Sequence, residues 1–272
     1  RVKWGLWDLA DYRRLVEPLA ELRAAYPGLR LMGPAGIDFE YLHVLGALKV
    51  LPPGFRFDAL SHHLYVDRRG APEVPQGRFA ALEKFALARA IARTSPHCAD
   101  RLIVSEVNWP ILGTHEWSPV GSPYTHPGQV LGPPNVAPEA YADYLVRYLL
   151  QAACSGLVER VYWWRLAAHG FGLIDERADP WQPRPAWSAY LHLVHTLGES
   201  TFEGNLPAPA GSFVHLFRRP DGERVAVAYD WGGETAWQPT STWSRLESRD
   251  GRPAADLRLA GSPLYLRGVT LG

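Results

Sequence analysis

Over residues 1–198, short apolar runs alternate with longer amphipathic segments, and this limits the fold more than any other feature of the chain. From Asp8 or Asp11 to Tyr26, DYRRLVEPLAELRAAY puts Leu15, Leu19 and Leu22 on one stripe. That predicts a helix ended by Pro27-Gly28, with a kink at Pro18. LRLMGP (29–34) predicts a short buried strand, and residues 39–50 a helix closed by Pro52-Pro53-Gly54. Strands are expected at 57–66, 101–110 and 160–166, and helices at 78–93, 138–157 and 186–197. A Pro/Gly-rich loop, about 111–136, separates the third strand from the next helix. Loops of that length are usually functional or disordered.

Strand–helix repeats of this length imply parallel strands joined by crossovers. A doubly wound sheet and half of a β/α barrel both fit the count. No GxGxxG, P-loop or GxSxG occurs, so nucleotide-binding and α/β-hydrolase versions have no support. After Ser200 the pattern changes. SFVHLFRR, Pro220-Asp221-Gly222 and ERVAVAYDW form a β-hairpin signal, with short strands expected near Trp243 and at 263–271. The expected division is therefore a β/α part over 1–198 and a small all-β part over 199–272.

Composition excludes several classes. Lys plus Arg and Asp plus Glu are both 28, and no basic run interleaves with aromatics, so nucleic acid is not an expected partner. No stretch reaches the roughly 18 consecutive apolar residues of a membrane span. Cys98 and Cys154 offer neither a disulfide framework nor a metal spacing. His192 and His195 lack a third ligand, so no metal and no cofactor are expected. The first residue is Arg and no leader pattern follows; the natural start is expected upstream, which leaves the compartment open. Oligomeric state is not legible.

In a β/α barrel the reacting side chains project from the C-terminal ends of strands. Those ends carry Ser61, His62, His63 and Tyr65; then Glu106, Asn108 and Trp109; then Trp163, Trp164 and Arg165. A carboxylate inside the apolar text LIVSEVNW is costly to bury unpaired. Glu106 therefore sits at a strand end, is paired (to an arginine such as Arg165, for example), or is functional. Eleven Trp exceed ordinary usage, and indole rings suit both packing and the flat C–H faces of sugars.

These residues resemble the C-terminal half of clan A retaining glycoside hydrolases, especially the β-xylosidase and iduronidase-like branch. VSEVNWP resembles the segment in which that clan's seventh strand ends in the nucleophile Glu. His63-Leu64-Tyr65 is similar to its sixth strand, Tyr162-Trp163-Trp164 to its eighth, and LRLMGPA to its fifth. The resemblance implies an α/β fold, the C-terminal half of a (β/α)8 TIM barrel, followed by a sandwich-like β domain. It also implies a carbohydrate substrate and a bacterial polysaccharide or cell-envelope glycan as its class. The family's acid/base Glu follows an Asn at the end of the fourth strand. RVKWG lacks that pair, so the acid/base is expected upstream of Arg1 or replaced.

On this resemblance Glu106 is the nucleophile and Tyr65 holds it. His63 orients the site or contacts a sugar hydroxyl, with a structural histidine as the alternative. Trp163 or Trp164 stacks on the sugar while the other packs, and Trp109 is open between the same two roles. Glu116, with Trp117, Tyr124 and His126, lies on the long loop that could wall the cleft. His169, Asp175 and Asp38 fall on the same side. His62 points to the opposite face of its strand, into packing. Two other readings stand beside a glycosidase: a non-catalytic carbohydrate-binding protein, and a scaffold in polysaccharide assembly. A half barrel also leaves strand edges open, so self-association or instability is expected of this stretch alone.

Overall fold

Asp8 starts the first helix, α1 (Leu9–Ala25), in a reciprocal cap: its carboxylate accepts from the Asp11 N–H at 2.9 Å, and Asp11 accepts from the Asp8 N–H at 3.1 Å. Residues 8–38, 40–66, 70–114 and 135–272 are described by this structure, a computed structural model. Pro18 lies inside α1 without ending it. The inward stripe of α1 differs from the expected one. Tyr12 and Val16 are buried, whereas Leu15 is 56% and Leu22 42% exposed. The reason is the neighbouring helix α2 (Tyr41–Lys49). A Cβ on its Gly46 would fall 2.8 Å from Leu9 Cδ1, and the Tyr12 ring meets His43 edge-on at 6.4 Å, so α1 approaches α2 through Leu9 and Tyr12.

The chain divides into two compact units. The first comprises Arg1–Tyr65, Ala81–Val107 and Ser155–Trp163. Its centre is a parallel sheet of four strands: β1 (Gly36–Ile37), β2 (Leu60–His63), β3 (Leu102–Val107) and β4 (Arg160–Trp163), in that spatial order. The strand expected at 29–34 is reduced to a single bridge, Met32 to Ala59, and pairing resumes at Gly36. Pro34 has no N–H to give the ladder. Gly33 lies under the Phe57 ring, 2.7 Å from where a Cβ would be. Helix α3 (Ala81–Thr94) packs on β2 and β3 through Ala81, Phe85, Ala88, Ile91 and Ala92.

The second unit comprises Val66–Ala80, Asn108–Cys154 and Trp164–Gly272. Helices α4 (Pro138–Cys154) and α5 (Pro185–Leu197) pack on each other, and each opens on a proline, whose fixed φ suits the first helical position. Between them β5 (Ile174–Asp175) and β6 (Gln182–Pro183) form a small antiparallel pair. Strands β7 (Thr201–Asn205), β8 (Ser212–Arg218), β9 (Arg224–Asp230), β11 (Arg245–Glu247) and β13 (Leu264–Arg267) make an antiparallel sheet ordered β11-β13-β9-β8-β7. A two-stranded sheet pairs β10 (Thr235–Ala236) with β12 (Arg258–Leu259).

The β8–β9 hairpin turns at Gly222, whose φ of 88° is the left-handed conformation glycine adopts without strain. Val214, Leu216, Ala226 and Ala228 face one core, with Trp237, Leu246 and Leu266. His215, Phe217, Val227 and Tyr229 on the other face are buried as well. Helix α4 closes that side: Arg147 stands 5.5 Å over the Tyr229 ring and donates to Glu73 and to the Gly261 carbonyl. Among the described residues, no helix is long and apolar enough to cross a membrane.

Candidate active site

The polar end of the parallel sheet is built from consecutive residues of β2 and β3. His62 is fully buried. Its Nε2 donates to the Asp38 carbonyl at 2.8 Å, and its ring stacks on Tyr41 at 5.3 Å. Burial lowers its pKa to about 4, so it is a neutral packing residue, as its place on the strand implies. On the other face Ser61 bonds Ser105 at 2.8 Å, and His63 and Tyr65 reach Glu106.

Strict alternation would send Ser105 and Glu106 to opposite faces, yet both meet side chains of the Ser61–Tyr65 segment. The register between β3 and β4 slips between Val104 and Val107, and such an irregularity re-aims a side chain.

The Glu106 side chain is 22% exposed, enough to meet a ligand while most of it is held by protein. The Tyr65 hydroxyl donates to its Oε1, and His63 Nδ1 is 3.7 Å from its Oε2. Burial lowers the pKa of His63 against the pull of Glu106. The imidazole is then neutral at pH 7, and its approach to the carboxylate is polar rather than an ion pair. The arrangement can present an oriented carboxylate to an electrophile at the C-terminal end of a parallel strand.

Lys84 was not anticipated. It is the wholly buried cation of α3, donating to the Tyr65 carbonyl and standing 3.9 Å from Asp38 Oδ1. Its signal is legible in ALEKFALA, where it shares the inward stripe with Ala81, Phe85 and Ala88. Lys84 thus fixes the backbone that carries the tyrosine. Asp38 belongs to the same group through its backbone: its N–H donates to the His63 carbonyl at 2.9 Å, and its φ is +46°.

The other expected residues fall differently. Trp163 is half-buried in β4, paired with Val107. Trp164, in the second unit, is 43% exposed, and its carbonyl accepts from Asn108 at 2.6 Å. Trp109 is fully buried against Tyr144 and Tyr148, and its indole N–H donates to the Gly70 carbonyl at 2.8 Å. That is the packing alternative, with no open ring face for a ligand. Glu116, Trp117, Tyr124 and His126 lie outside the described residues. His169 and Asp175 form a pair, with Nδ1 3.0 Å from each carboxylate oxygen, and Arg184, not singled out by the sequence, braces Asp175 at 3.0 Å. Among the described residues, no group of three or more His, Cys, Asp or Glu is placed to hold a metal.

No family model matches the sequence, and no curated protein matches it. Solved structures do. A GH51 arabinofuranosidase from Xanthomonas axonopodis pv. citri aligns at a TM-score of 0.57 and 11% identity, over 97% of this chain and 64% of that one. The catalytic domain of GH30 xylanase C from Talaromyces cellulolyticus aligns at 0.50 and 11% identity, over 97% and 57%. The chain thus spans less than two thirds of either structure. The likeness is one of fold: a glycoside hydrolase-like architecture, with a four-stranded parallel sheet and antiparallel sheets consistent with a partial β/α barrel plus a β module.

Proposed function

We propose that this chain is the C-terminal part of a retaining glycoside hydrolase of the β-xylosidase and iduronidase-like branch, with Glu106 as its nucleophile. The observation that carries the reading is the Tyr65 hydroxyl donating to Glu106 at the C-terminal end of β3, with His63 beside the second oxygen. The fold likeness to an arabinofuranosidase and a xylanase supports a glycan as substrate. The division into a half barrel over 1–198 and a sandwich-like β domain over 199–272 is part of the same proposal.

In this mechanism an oxygen of Glu106 attacks the anomeric carbon as the glycosidic C–O bond breaks, and the leaving oxygen takes a proton from a second carboxyl about 5–5.5 Å away. That carboxyl belongs, by the family resemblance, ahead of Arg1. Water then attacks the anomeric carbon, gives its proton to the second carboxylate, and releases Glu106. Tyr65 donates to the nucleophile and fixes its orientation in the free enzyme. His63 is the sugar contact assigned here, and Trp163 supports the neighbouring strand.

The test is turnover of aryl arabinofuranosides and xylosides by the full-length protein and its Glu106→Gln variant. The proposal expects a loss of at least 1,000-fold, roughly 4 kcal/mol of barrier. Equal turnover by the two proteins removes Glu106 from the chemistry. Glycan binding without turnover by the wild type overturns the hydrolase in favour of a binding protein.

A further inference from the structure

Just past the C-terminal end of β1 the chain turns through Asp38, and β2 and α3 of the same unit hold that residue in place. Its N–H donates to the His63 carbonyl at 2.9 Å, and its own carbonyl accepts from His62 Nε2 at 2.8 Å. Lys84, wholly buried on α3, stands 3.9 Å from Asp38 Oδ1 and donates to the Tyr65 carbonyl. Among the described residues Asp38 alone, apart from glycines, has a positive φ, at +46°. A residue with a Cβ disfavours that conformation and keeps it only where its surroundings over-determine it. Asparagine or glycine would serve the turn at least as well, so the turn does not by itself call for a carboxyl group.

These contacts do not seal the side chain. It stays 26% exposed, beside His63 at 26% and Glu106 at 22%. The three residues stand at the ends of three adjacent strands of one sheet, β1, β2 and β3. Neighbouring strands lie about 4.8 Å apart, so β1 and β3 are separated by about 10 Å, with His63 between them. A sugar ring with its anomeric carbon at Glu106 covers about that distance when a hydroxyl on its far side makes a hydrogen bond of about 2.7 Å. A carboxyl group fits that position, because its oxygens accept from O–H donors and two adjacent hydroxyls can share one carboxylate.

We propose that Asp38 is a specificity-determining contact, accepting from ring hydroxyls remote from the anomeric carbon, with Lys84 as the positioning residue that braces its carboxyl group. This rests on the hydrolase reading above and extends it to a named sugar contact on β1, within the unit that carries Glu106.

The test is a substrate–variant cycle on the full-length protein. Asp38→Gly removes the carboxyl group and relieves the positive φ; Asp38→Asn keeps the turn and one acceptor oxygen. Each is assayed beside the wild type on 4-nitrophenyl arabinofuranoside or xyloside, and on derivatives lacking one ring hydroxyl each. The expected result is at least about a tenfold fall in kcat/KM for Asp38→Gly on the parent glycoside, the worth of one hydrogen bond. That fall is carried mainly by KM, shrinks severalfold on a substrate lacking a hydroxyl that Asp38 holds, and is partly recovered in Asp38→Asn. A role confined to neutralising Lys84 lowers turnover of every substrate alike. Such a uniform loss, or wild-type values for Asp38→Gly, overturns the contact and leaves the hydrolase reading intact, since Glu106→Gln still abolishes turnover of the parent glycoside. Should Asp38→Gly not fold, the pattern is read from Asp38→Asn, for which wild-type values or a loss equal on all substrates overturns it. A wild-type protein that turns over no glycoside overturns both.

Discussion

Tyr65 and Glu106 stand 41 positions apart in the chain, and the phenol of the first donates to the carboxylate of the second. Three features make the meeting possible: parallel pairing of β2 with β3, the slip in β3 that turns Glu106, and Lys84 holding the Tyr65 carbonyl from α3. In the proposed mechanism the attacking carboxylate must be aimed, and this bond fixes its orientation.

Tyr65→Phe removes the donor and keeps the ring. A hydrogen bond to a charged group contributes about 1.5–3 kcal/mol, so kcat on an aryl glycoside falls about ten- to a hundredfold. Unchanged turnover in steady-state assays removes Tyr65 from the mechanism.

Gly36 sets how closely β1 approaches β2. A Cβ there would lie 2.3 Å from Val44 Cγ2 and 2.9 Å from His62 Cε1, both buried. Gly36→Ala therefore costs about 1–3 kcal/mol, the usual toll of overpacking, read as a lower urea midpoint. A midpoint equal to the wild type's shows that β1 is free to move away.

Arg147 and Glu73 form an ion pair buried on both sides, completed by Gln151 at 2.7 Å from Glu73 Oε1. Arg147→Met leaves the Glu73 carboxylate buried without its charge partner. Unfolding free energy from urea titration should drop by about 3–5 kcal/mol. Adding Glu73→Gln should return a substantial part of that loss, because the stranded charge is gone. Two losses that simply add contradict this account.

His62 and His215 predict the acid side of the stability curve. Burial lowers each pKa from 6.5 to about 4 in the folded protein, so the unfolded chain takes up protons first as pH falls. Their stabilisation is complete above pH 6.5 and is lost between pH 6.5 and about 4, at about 1.4 kcal/mol per pH unit for each. His215→Gln, which can keep the bond to Asn205, should flatten the slope in that window by one histidine's share. An unaltered slope means His215 titrates normally in the fold.

Much of this was legible in the sequence. The strand–helix alternation gave the parallel sheet, and Pro220-Asp221-Gly222 gave the hairpin, because local propensity and burial agree there. Glu106 and Tyr65 were readable as strand-end residues, since an apolar strand tolerates a carboxylate only at its tip. Other features depend on partners distant in the chain. The inward face of α1 is decided by Gly46 and Leu9, not by its leucine stripe. Trp109 is buried because Tyr144, Tyr148 and the Gly70 carbonyl surround it, which no reading of VNWP reveals. Arg184 gains its role from carbonyls 12 to 16 positions back in the chain, after a loop has folded.

The most direct measurement is covalent trapping. An aryl 2-deoxy-2-fluoroglycoside slows both chemical steps while a good leaving group keeps the first one running, so the glycosyl-enzyme accumulates. Digestion and mass spectrometry of the treated full-length protein should find one added fluorosugar, on the peptide containing Glu106. An adduct on any other carboxylate, or turnover of the parent glycoside with inverted anomeric configuration and no adduct, contradicts the account.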